Sequence, residues 1–171
     1  MDVTSLRKSI AVSVAFTLFG GPGIVLVFVP WLVTRFRLPA GKPQWQIAAC
    51  CALIIAGLAP LLESIWRFVV VGRGTLVPAV PTERLVVSGL YVYVRNPMYL
   101  GVLTVIAAEA ALFRSRSLLI EFAAVWLAFE LFVRFYEERR LARTFPDEYA
   151  TYRRNVRRWL PRLKPWRPAA L

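Results

Sequence analysis

The sequence contains no histidine, and its only two cysteines, Cys50 and Cys51, are adjacent. Without an imidazole, the chain cannot build a Ser-His-Asp triad, a Cys-His dyad or a histidine-ligated zinc site. Adjacent cysteines rarely form an unstrained disulfide bond, and no second pair exists, so we expect no disulfide framework. Any catalysis must therefore depend on carboxylates, arginine, tyrosine, backbone groups or a cofactor.

Charged residues make up only 19% of the chain, whereas 58% of its residues are hydrophobic. A soluble domain of 171 residues needs more polar surface than this composition supplies. We therefore predict an all-α, polytopic integral membrane protein with about four transmembrane helices. The proposed spans are hydrophobic runs near the length that crosses a bilayer, at residues 9–33, 46–71, 97–113 and 117–136.

The basic residues are distributed unevenly around these runs. With the N-terminus inside, fifteen lysines and arginines fall on the inner side and five on the outer side. The positive-inside rule then places both termini, and the loop between the second and third runs, in the cytoplasm. No cleavable signal peptide is expected, because the first run is longer than a signal h-region. Arginine outnumbers lysine 19 to 3, which is typical of GC-rich bacteria and favours a bacterial inner membrane.

The predicted organisation is a single membrane domain with four parts. They are an N-terminal helix pair (1–72), a cytoplasmic loop (73–96), a helix hairpin (97–138) and a basic cytoplasmic tail (139–171). The very short link at residues 114–116 makes the third and fourth runs antiparallel. Nothing in the sequence sets the oligomeric state.

The tail has aromatic and apolar residues at helical spacing between its arginines, from residue 145 to residue 160. This pattern predicts an amphipathic helix that lies on the cytoplasmic membrane surface and contacts anionic lipid. A basic aromatic tail can also bind nucleic acid, but in a membrane protein lipid is the commoner partner, and we expect no nucleic acid.

Arg95, Asn96 and Pro97 stand at the start of the third run. Asparagine is a favoured N-cap and proline a favoured first residue, so the tripeptide predicts a helix start. A helix N-terminus beside an arginine also suits a carboxylate or a phosphate. These residues alone favour the two interpretations equally.

The fourth run carries ionisable residues towards its end. Glu130, Arg134, Glu137 and Glu138 follow a spacing that puts them on one helix face. Such residues in a membrane segment usually face a protein interior or a wet cavity. The pattern predicts a polar cleft with Glu130 and Arg134 as catalytic candidates. The alternatives are a structural ion pair between those two and a solvated helix end at Glu137-Glu138.

Other acids are harder to interpret. Glu63 and Arg67 have i, i+4 spacing in the second run, which favours a structural ion pair. Glu109 and Glu121 lie towards the outer side, have no basic partner in their own runs and receive no predicted role.

Together these segments resemble the isoprenylcysteine carboxyl methyltransferase family and the wider group that includes phospholipid N-methyltransferases. The resemblance covers about residues 63–161 and rests on the loop LVVSGLY at 85–91, the stretch RNPMYLG at 95–101, Glu137-Glu138, and FPDEYATY at 145–152. Two positions depart from the pattern, because Asn96 stands where eukaryotic members usually have histidine and Leu90 where proline is frequent.

The resemblance implies an integral-membrane enzyme that uses S-adenosyl-L-methionine. We expect no metal site. Carried over residue by residue, it nominates nine cofactor-binding residues: Gly89, Tyr91, Arg95, Asn96, Pro97, Tyr99, Gly101, Glu137 and Glu138. The acceptor would be lipophilic and reach the site laterally from the bilayer. Its reacting group would be the carboxylate of an isoprenylcysteine-like molecule or the amine of a phospholipid.

Two other classes of function compete with this interpretation. One is a membrane reductase related to sterol reductases, which would bind a nicotinamide cofactor. The other is a non-catalytic membrane scaffold whose basic tail binds lipid or a partner.

Overall fold

The computed structural model describes residues 11–12, 15, 20–70 and 84–167. All regular secondary structure within these ranges is helical, as predicted. The first half has α1 (Gly21–Thr34, π-helical over Ile24–Phe28), α2 (Gln44–Val70) and a 3₁₀ turn (Gly89–Val92). The second half has α3 (Pro97–Phe113), α4 (Arg116–Phe132), a π-helical turn (Val133–Glu137), α5 (Glu138–Thr144) and α6 (Pro146–Asn155).

The described parts of the predicted hydrophobic runs are almost entirely helical, but only one helix among the described residues has the length of a full span. In the described part of the chain, Gln44–Phe68 alone is long and apolar enough to cross a membrane, and its mean hydropathy is 2.0. Two other apolar helices, Gly21–Thr34 and Pro97–Phe113, are shorter. Four crossings therefore remain a prediction. The basic residues Arg7, Lys8 and Arg73, which enter the charge count, lie outside the described residues.

The surface of α2 is largely uncovered by protein. Only 22% of its 18-residue apolar stretch is buried, and Ile55, Leu62 and Trp66 are all more than 60% exposed. On α4, Leu119 and Ile120 are similarly exposed. Contiguous exposed apolar surface of this kind marks contact with a membrane or a partner. It agrees with association of the chain with a membrane.

The closest helix contact joins α2 to α3 at two glycines. A Cβ added at Gly57 would lie 2.8 Å from the Gly101 carbonyl oxygen, and a Cβ at Gly101 would overlap the Gly57 carbonyl. Small residues allow membrane helices to bring their backbones this near. Leu61, Val102 and Ile106 are buried beside the contact and form part of the apolar core. Gly101, nominated above for cofactor binding, therefore packs one helix on another.

The link between α3 and α4 is as short as predicted. Arg114 ends α3 in the left-handed conformation with φ 50°, and Ser115 then accepts a hydrogen bond from the Leu118 N–H at 3.4 Å. Two residues therefore separate the helices, which must run antiparallel. The hydroxyl of Tyr99, at the start of α3, lies 2.9 Å from Glu137 Oε2 beyond the end of α4, which confirms the hairpin.

The predicted tail helix is shorter than expected. It ends at Asn155, because Val156 adopts an extended backbone with φ −121° and ψ 130°. The prediction of helical structure to residue 160 was therefore wrong. Residues 156–167, called the C-terminal segment below, have no regular secondary structure.

Backbone hydrogen bonds attach the C-terminal segment to the loop before α3. The Arg95 N–H donates to the Arg157 carbonyl at 2.9 Å, and the Arg162 N–H donates to the Tyr93 carbonyl at 2.9 Å. A third bond joins the Trp166 N–H to the Val92 carbonyl at 3.0 Å. In a longer helix, the backbone groups of this segment would instead form hydrogen bonds within the helix.

The aromatic face of α6 packs inside the protein. Tyr149, Tyr152 and Val156 are each at most 3% exposed and contact the loop before α3 and Trp166. Our prediction that this face rests on lipid was wrong, because its tyrosines are covered by protein. The tail consequently belongs to the same folded unit as the hairpin.

Candidate active site

The loop before α3 rests on an ion pair of α2. Arg67 Nε lies 2.8 Å from Glu63 Oε1, as their spacing predicts, and Arg67 Nη1 donates to the Ser88 hydroxyl at 3.2 Å. Gly89 follows with φ +61°, and a Cβ there would overlap the Glu63 carboxylate. Only glycine combines this conformation with such a close approach. Gly89 therefore packs against the Glu63–Arg67 ion pair, which supports the loop.

Tyr91 joins the loop to two helices. Its hydroxyl bonds Ser64 on α2 at 3.2 Å, and its carbonyl accepts from the Tyr152 hydroxyl of α6 at 2.7 Å. Burial raises the pKa of Tyr91 above its usual value, although the hydrogen bond with Ser64 opposes this. The phenol therefore stays neutral and acts as a fixed hydrogen-bonding group.

Asn96 precedes α3 but does not cap it with its side chain. Its Nδ2 donates to the Arg158 carbonyl of the C-terminal segment at 3.1 Å, and the predicted helix start at this tripeptide is confirmed. Pro97 occupies the first helical position, as predicted. Because no side chain caps the first turn, N–H groups there are available to an anion.

Five charged residues meet at this end of the hairpin and form the carboxylate–arginine cluster: Arg95, Glu130, Glu137, Glu138 and Arg158. Arg95 Nη1 lies 3.0 Å from Glu138 Oε1. Arg158 binds both oxygens of Glu138, at 2.7 and 2.9 Å, and reaches Glu130 Oε1 at 3.1 Å. The side chains of Arg95 and Glu138 are only 10% and 12% exposed, so water screens their attraction weakly.

Glu137 is the acid of the cluster that has no arginine partner among the described residues. The Tyr99 hydroxyl donates to its Oε2 at 2.9 Å, and the Tyr99 ring lies 4.5 Å from that of Phe129. Burial raises the pKa of the Glu137 carboxyl above its usual value; the Tyr99 hydrogen bond opposes this, and the charge of Glu138 adds to it. Three carboxylates against two guanidinium groups leave the ionised cluster with one net negative charge.

Arg134 does not join the cluster. Its side chain is exposed, with Cζ 5.8 Å from the centre of the Phe135 ring, and the alternative ion pair with Glu130 is absent. The π-helical turn Val133–Glu137 explains this, because its wider turn breaks the spacing on which the shared helix face depended. Glu130 lies in the cluster, whereas the other catalytic candidate lies apart from it.

The sequence interpretation missed the contribution of the C-terminal segment. Trp159 Nε1 donates to Glu130 Oε2 at 2.6 Å, next to the contacts of Arg158. Tyr149 of α6 accepts from Arg95 Nη1 at 3.0 Å. In the sequence, Arg158 is one of ten similar cations in the tail, and no local signal distinguishes it.

A narrow crevice and an apolar groove lie next to the cluster. The crevice, of about 20 Å³, lies among Arg95, Glu137, Glu138 and Tyr149. The groove, of about 510 Å³, runs between α3 and α4 and is lined by apolar residues of both, with Trp159 at one end. Arg95 Nε is buried beside the crevice without a partner.

Two acids at the other end of the hairpin have no partner among the residues that the structure describes. Glu109 on α3 is 7% exposed, and its Oε2 makes no hydrogen bond. Both carboxylate oxygens of Glu121 on α4 are also buried and unbonded. The two carboxyl groups lie close enough to interact electrostatically. Neither of them contacts the carboxylate–arginine cluster.

The fold and the site define a helical, membrane-associated protein with a polar cluster where a hairpin of apolar helices ends. The family model of the phospholipid methyltransferases matches residues 45–148 of the chain. The chain belongs to the phospholipid methyltransferase family, which confirms the resemblance to the wider group. No curated protein and no solved structure matches the chain.

Family membership supports a methyltransferase that acts on lipid-type substrates at a membrane. The matched residues 45–148 include the loop, the hairpin and the start of α6, so they contain four of the five cluster residues. Arg158 lies beyond the matched range.

Proposed function

We propose that the chain is an integral-membrane methyltransferase that transfers the methyl group of S-adenosyl-L-methionine to the amine of a phospholipid. The observation that carries the proposal is the carboxylate–arginine cluster at the uncapped N-terminus of α3, in a chain of the phospholipid methyltransferase family. The family favours a phospholipid acceptor over an isoprenylcysteine-like carboxylate.

The donor set of the cluster fits the cofactor. A sulfonium and an ammonium against one carboxylate give the cofactor a net charge of plus one, which complements the net negative charge of the cluster. The unpartnered Arg95 Nε and the first N–H groups of α3 suit its carboxylate. Glu137, which lacks an arginine partner among the described residues, suits its ammonium or its ribose hydroxyls.

The crevice is much smaller than a typical ligand site. Ligand sites usually enclose about 300–1,000 Å³, whereas the crevice encloses about 20 Å³. We infer that the C-terminal segment separates from the hairpin when the cofactor binds. The segment is held by the Asn96 bond to the Arg158 carbonyl, the Arg158 contacts to two acids, three backbone bonds, the Trp159 bond to Glu130 and the packing of Val156 and Trp166 on α6.

When bound, the cofactor would supply an electrophilic methyl group on its sulfonium sulfur. The residues of the chain have three tasks: holding the cofactor carboxylate at Arg95, holding its cationic end at Glu137 or Glu138, and orienting the acceptor. Methyl transfer needs in-line positioning more than acid catalysis. A phospholipid ammonium must first lose a proton, which Glu130 can accept once Arg158 has moved.

The apolar groove between α3 and α4 supports lateral access of the acceptor. It ends at Trp159, whose indole bonds Glu130, so a lipid chain in the groove would bring its headgroup to the cluster. The groove opens on the surface that we assign to lipid. A soluble acceptor would not need it.

We further propose that the chain crosses the bacterial inner membrane four times, with both termini and the cluster facing the cytoplasm. The N-terminal helix pair, the cytoplasmic loop, the hairpin and the basic tail then form one domain. A cysteine at Ser115 should react only with a reagent on the periplasmic side, and one at Thr151 only from the cytoplasmic side. Labelling of both from one side would exclude this topology.

Calorimetry tests cofactor binding on the detergent-solubilised full chain. We expect micromolar binding of S-adenosylhomocysteine that is lost in Arg95→Ala and in Glu138→Ala. Glu148→Ala and Arg154→Ala change the same residue types at exposed positions of α6 and should bind as the wild type does. Saturable NADPH binding in place of S-adenosylhomocysteine would favour the reductase, and binding of neither by a folded protein would favour the scaffold.

The acceptor is identified by methylation in membranes. Incubation with isotopically labelled S-adenosylmethionine should place the label on the nitrogen of a phospholipid headgroup. A base-labile methyl ester would instead show that a carboxylate is the acceptor.

A further inference from the structure

A second groove lies on the outer face of the helix that carries the cluster acids. Its volume is about 430 Å³. It is lined by two rows of residues with i, i+4, i+8 spacing: Phe135, Arg139 and Arg143 in one row, and Tyr136, Arg140 and Thr144 in the other. The groove thus combines an aromatic end, a basic middle and a hydroxyl.

The aromatic rings lie beneath the arginines. Arg139 Cζ is 5.5 Å from the centre of the Phe135 ring, and Arg140 Cζ is 5.9 Å from that of Tyr136, whose hydroxyl also bonds Arg140 at 3.0 Å. A cation–π contact of this length orients the Arg139 guanidinium and leaves its N–H groups able to bind an anion. Arg139 and Arg143 are exposed and form no ion pair with a described carboxylate.

The groove lies where the apolar part of the helix ends. Phe135 and Tyr136 are 52% and 45% exposed and close the hydrophobic run, and Leu131, one turn earlier, is 47% exposed. Arg139, Arg140 and Arg143 follow within two turns. Aromatic residues next to arginines at such a boundary are typical of headgroup depth in a bilayer.

We propose that this groove binds the phosphate of an anionic phospholipid, whose acyl chains lie along the exposed apolar face of α4. Arginine binds phosphate oxygens in a bidentate manner, and Thr144 adds a hydroxyl donor. The site is separate from the methyl-transfer site, because Glu137 and Glu138 face α3 and the C-terminal segment. The proposal therefore goes beyond the proposed function and does not depend on it.

The positions of the arginines suggest a matched pair of variants. Arg139→Gln with Arg143→Gln removes two charges from the groove. Arg153→Gln with Arg154→Gln removes two charges from exposed positions of α6 that do not line it. Both double variants reduce the net charge of the basic tail equally, so diffuse attraction to anionic lipid falls equally in the two.

The test is a melting titration of the detergent-purified full chain with dioleoyl phosphatidylglycerol, with the phosphatidylcholine analogue and with inorganic phosphate. We expect phosphatidylglycerol alone to raise the melting temperature saturably. At about 5-fold per arginine, the groove variant should raise the half-saturating lipid concentration about 25-fold, and the α6 variant less than 3-fold. Arg143→Gln alone, with one charge removed, should give the 5-fold effect if the double variant proves unstable.

Three results would overturn the proposal. Equal weakening in both double variants would mean diffuse attraction by the tail. Equal stabilisation by phosphatidylcholine would mean that the groove does not select lipids whose headgroup has a net negative charge. Saturable binding of inorganic phosphate, with displacement of the lipid, would mean a site for a soluble anion.

Discussion

The α3–α4 hairpin carries acids at both of its ends, and the two ends differ in whether these acids are paired with cations. At the end near residue 97, Glu130 and Glu138 are bonded by arginines. At the other end, Glu109 Oε2 and both carboxylate oxygens of Glu121 are buried and form no bond within the described part of the chain. The same hairpin therefore has acids paired with arginines at one end. At its other end, the acids have no cationic partner among the described residues.

The difference shows that the hairpin does not make the polar site alone. The two cations of the cluster come from outside it: Arg95 precedes α3, and Arg158 belongs to the C-terminal segment. That segment is attached to the loop before α3 and reaches only one end of the hairpin. A site forms where loop, hairpin and C-terminal segment meet.

The largest effect should come from Glu138→Gln, which removes the carboxylate shared by two arginines. Breaking a buried ion pair by removing one partner costs about 3–5 kcal/mol, and Arg95 and Glu138 are both nearly buried. We expect a lower melting temperature and no detectable binding of S-adenosylhomocysteine. Glu148→Gln on the exposed face of α6 is the control, and a Glu138→Gln protein as stable as the wild type would contradict this account.

Arg158→Gln should have a smaller effect on stability, about 1–2 kcal/mol, because the residue is 27% exposed and water partly replaces its contacts. It tests whether the cluster holds the C-terminal segment. Hydrogen exchange should show faster exchange at the Arg162 and Trp166 amides while α2 is unchanged. If these amides keep their protection, the backbone bonds alone hold the segment.

The raised pKa of Glu137 predicts a pH dependence of binding with a definite sign. A cationic ligand needs the ionised carboxylate, so affinity for S-adenosylmethionine should fall as pH falls through this pKa, which lies above the usual glutamate value. Tyr99→Phe removes the hydrogen bond that lowers the pKa, so the midpoint should move to higher pH. Glu137→Gln should flatten the profile, and a midpoint unchanged by Tyr99→Phe would contradict the assignment.

The smallest effect should come from Glu109→Gln with Glu121→Gln. No bond is lost, because these carboxyl groups have no partner among the described residues, and an amide has almost the same shape. We expect unchanged binding of S-adenosylhomocysteine and a melting temperature at or above that of the wild type. A loss of binding comparable to that of Glu138→Gln would show that the two ends of the hairpin are coupled.

The sequence predicts those features that depend on local spacing or on a short link. Helices at residues 46–71 and 97–113, the hairpin and the Glu63–Arg67 pair follow from patterns of apolar and charged residues. The hairpin brings the loop that carries Arg95 close to Glu138. These predictions succeed because each depends on neighbours in the chain.

The remaining features depend on competition between distant groups. Asn96 is a residue type that favours helix caps, yet its side-chain amide donates to a carbonyl of the C-terminal segment and caps no N–H group of α3. The tail continues its helical pattern to residue 160, yet backbone bonds to the loop end the helix at Asn155. Arg158 cannot be distinguished from nine similar cations, because its role depends on where the segment returns.

The contact between Gly57 and Gly101 has a kinetic consequence. Because the two backbones touch there, α2 and α3 cannot slide or part without losing the core beneath them, and they behave as one rigid body. Opening of the crevice must then come from its other walls, which include α5 and α6, and from release of the C-terminal segment, which is held by polar bonds and by the packing of Val156 and Trp166. Cofactor association would be gated by this release, and its observed rate should level off at high ligand concentration instead of rising in proportion.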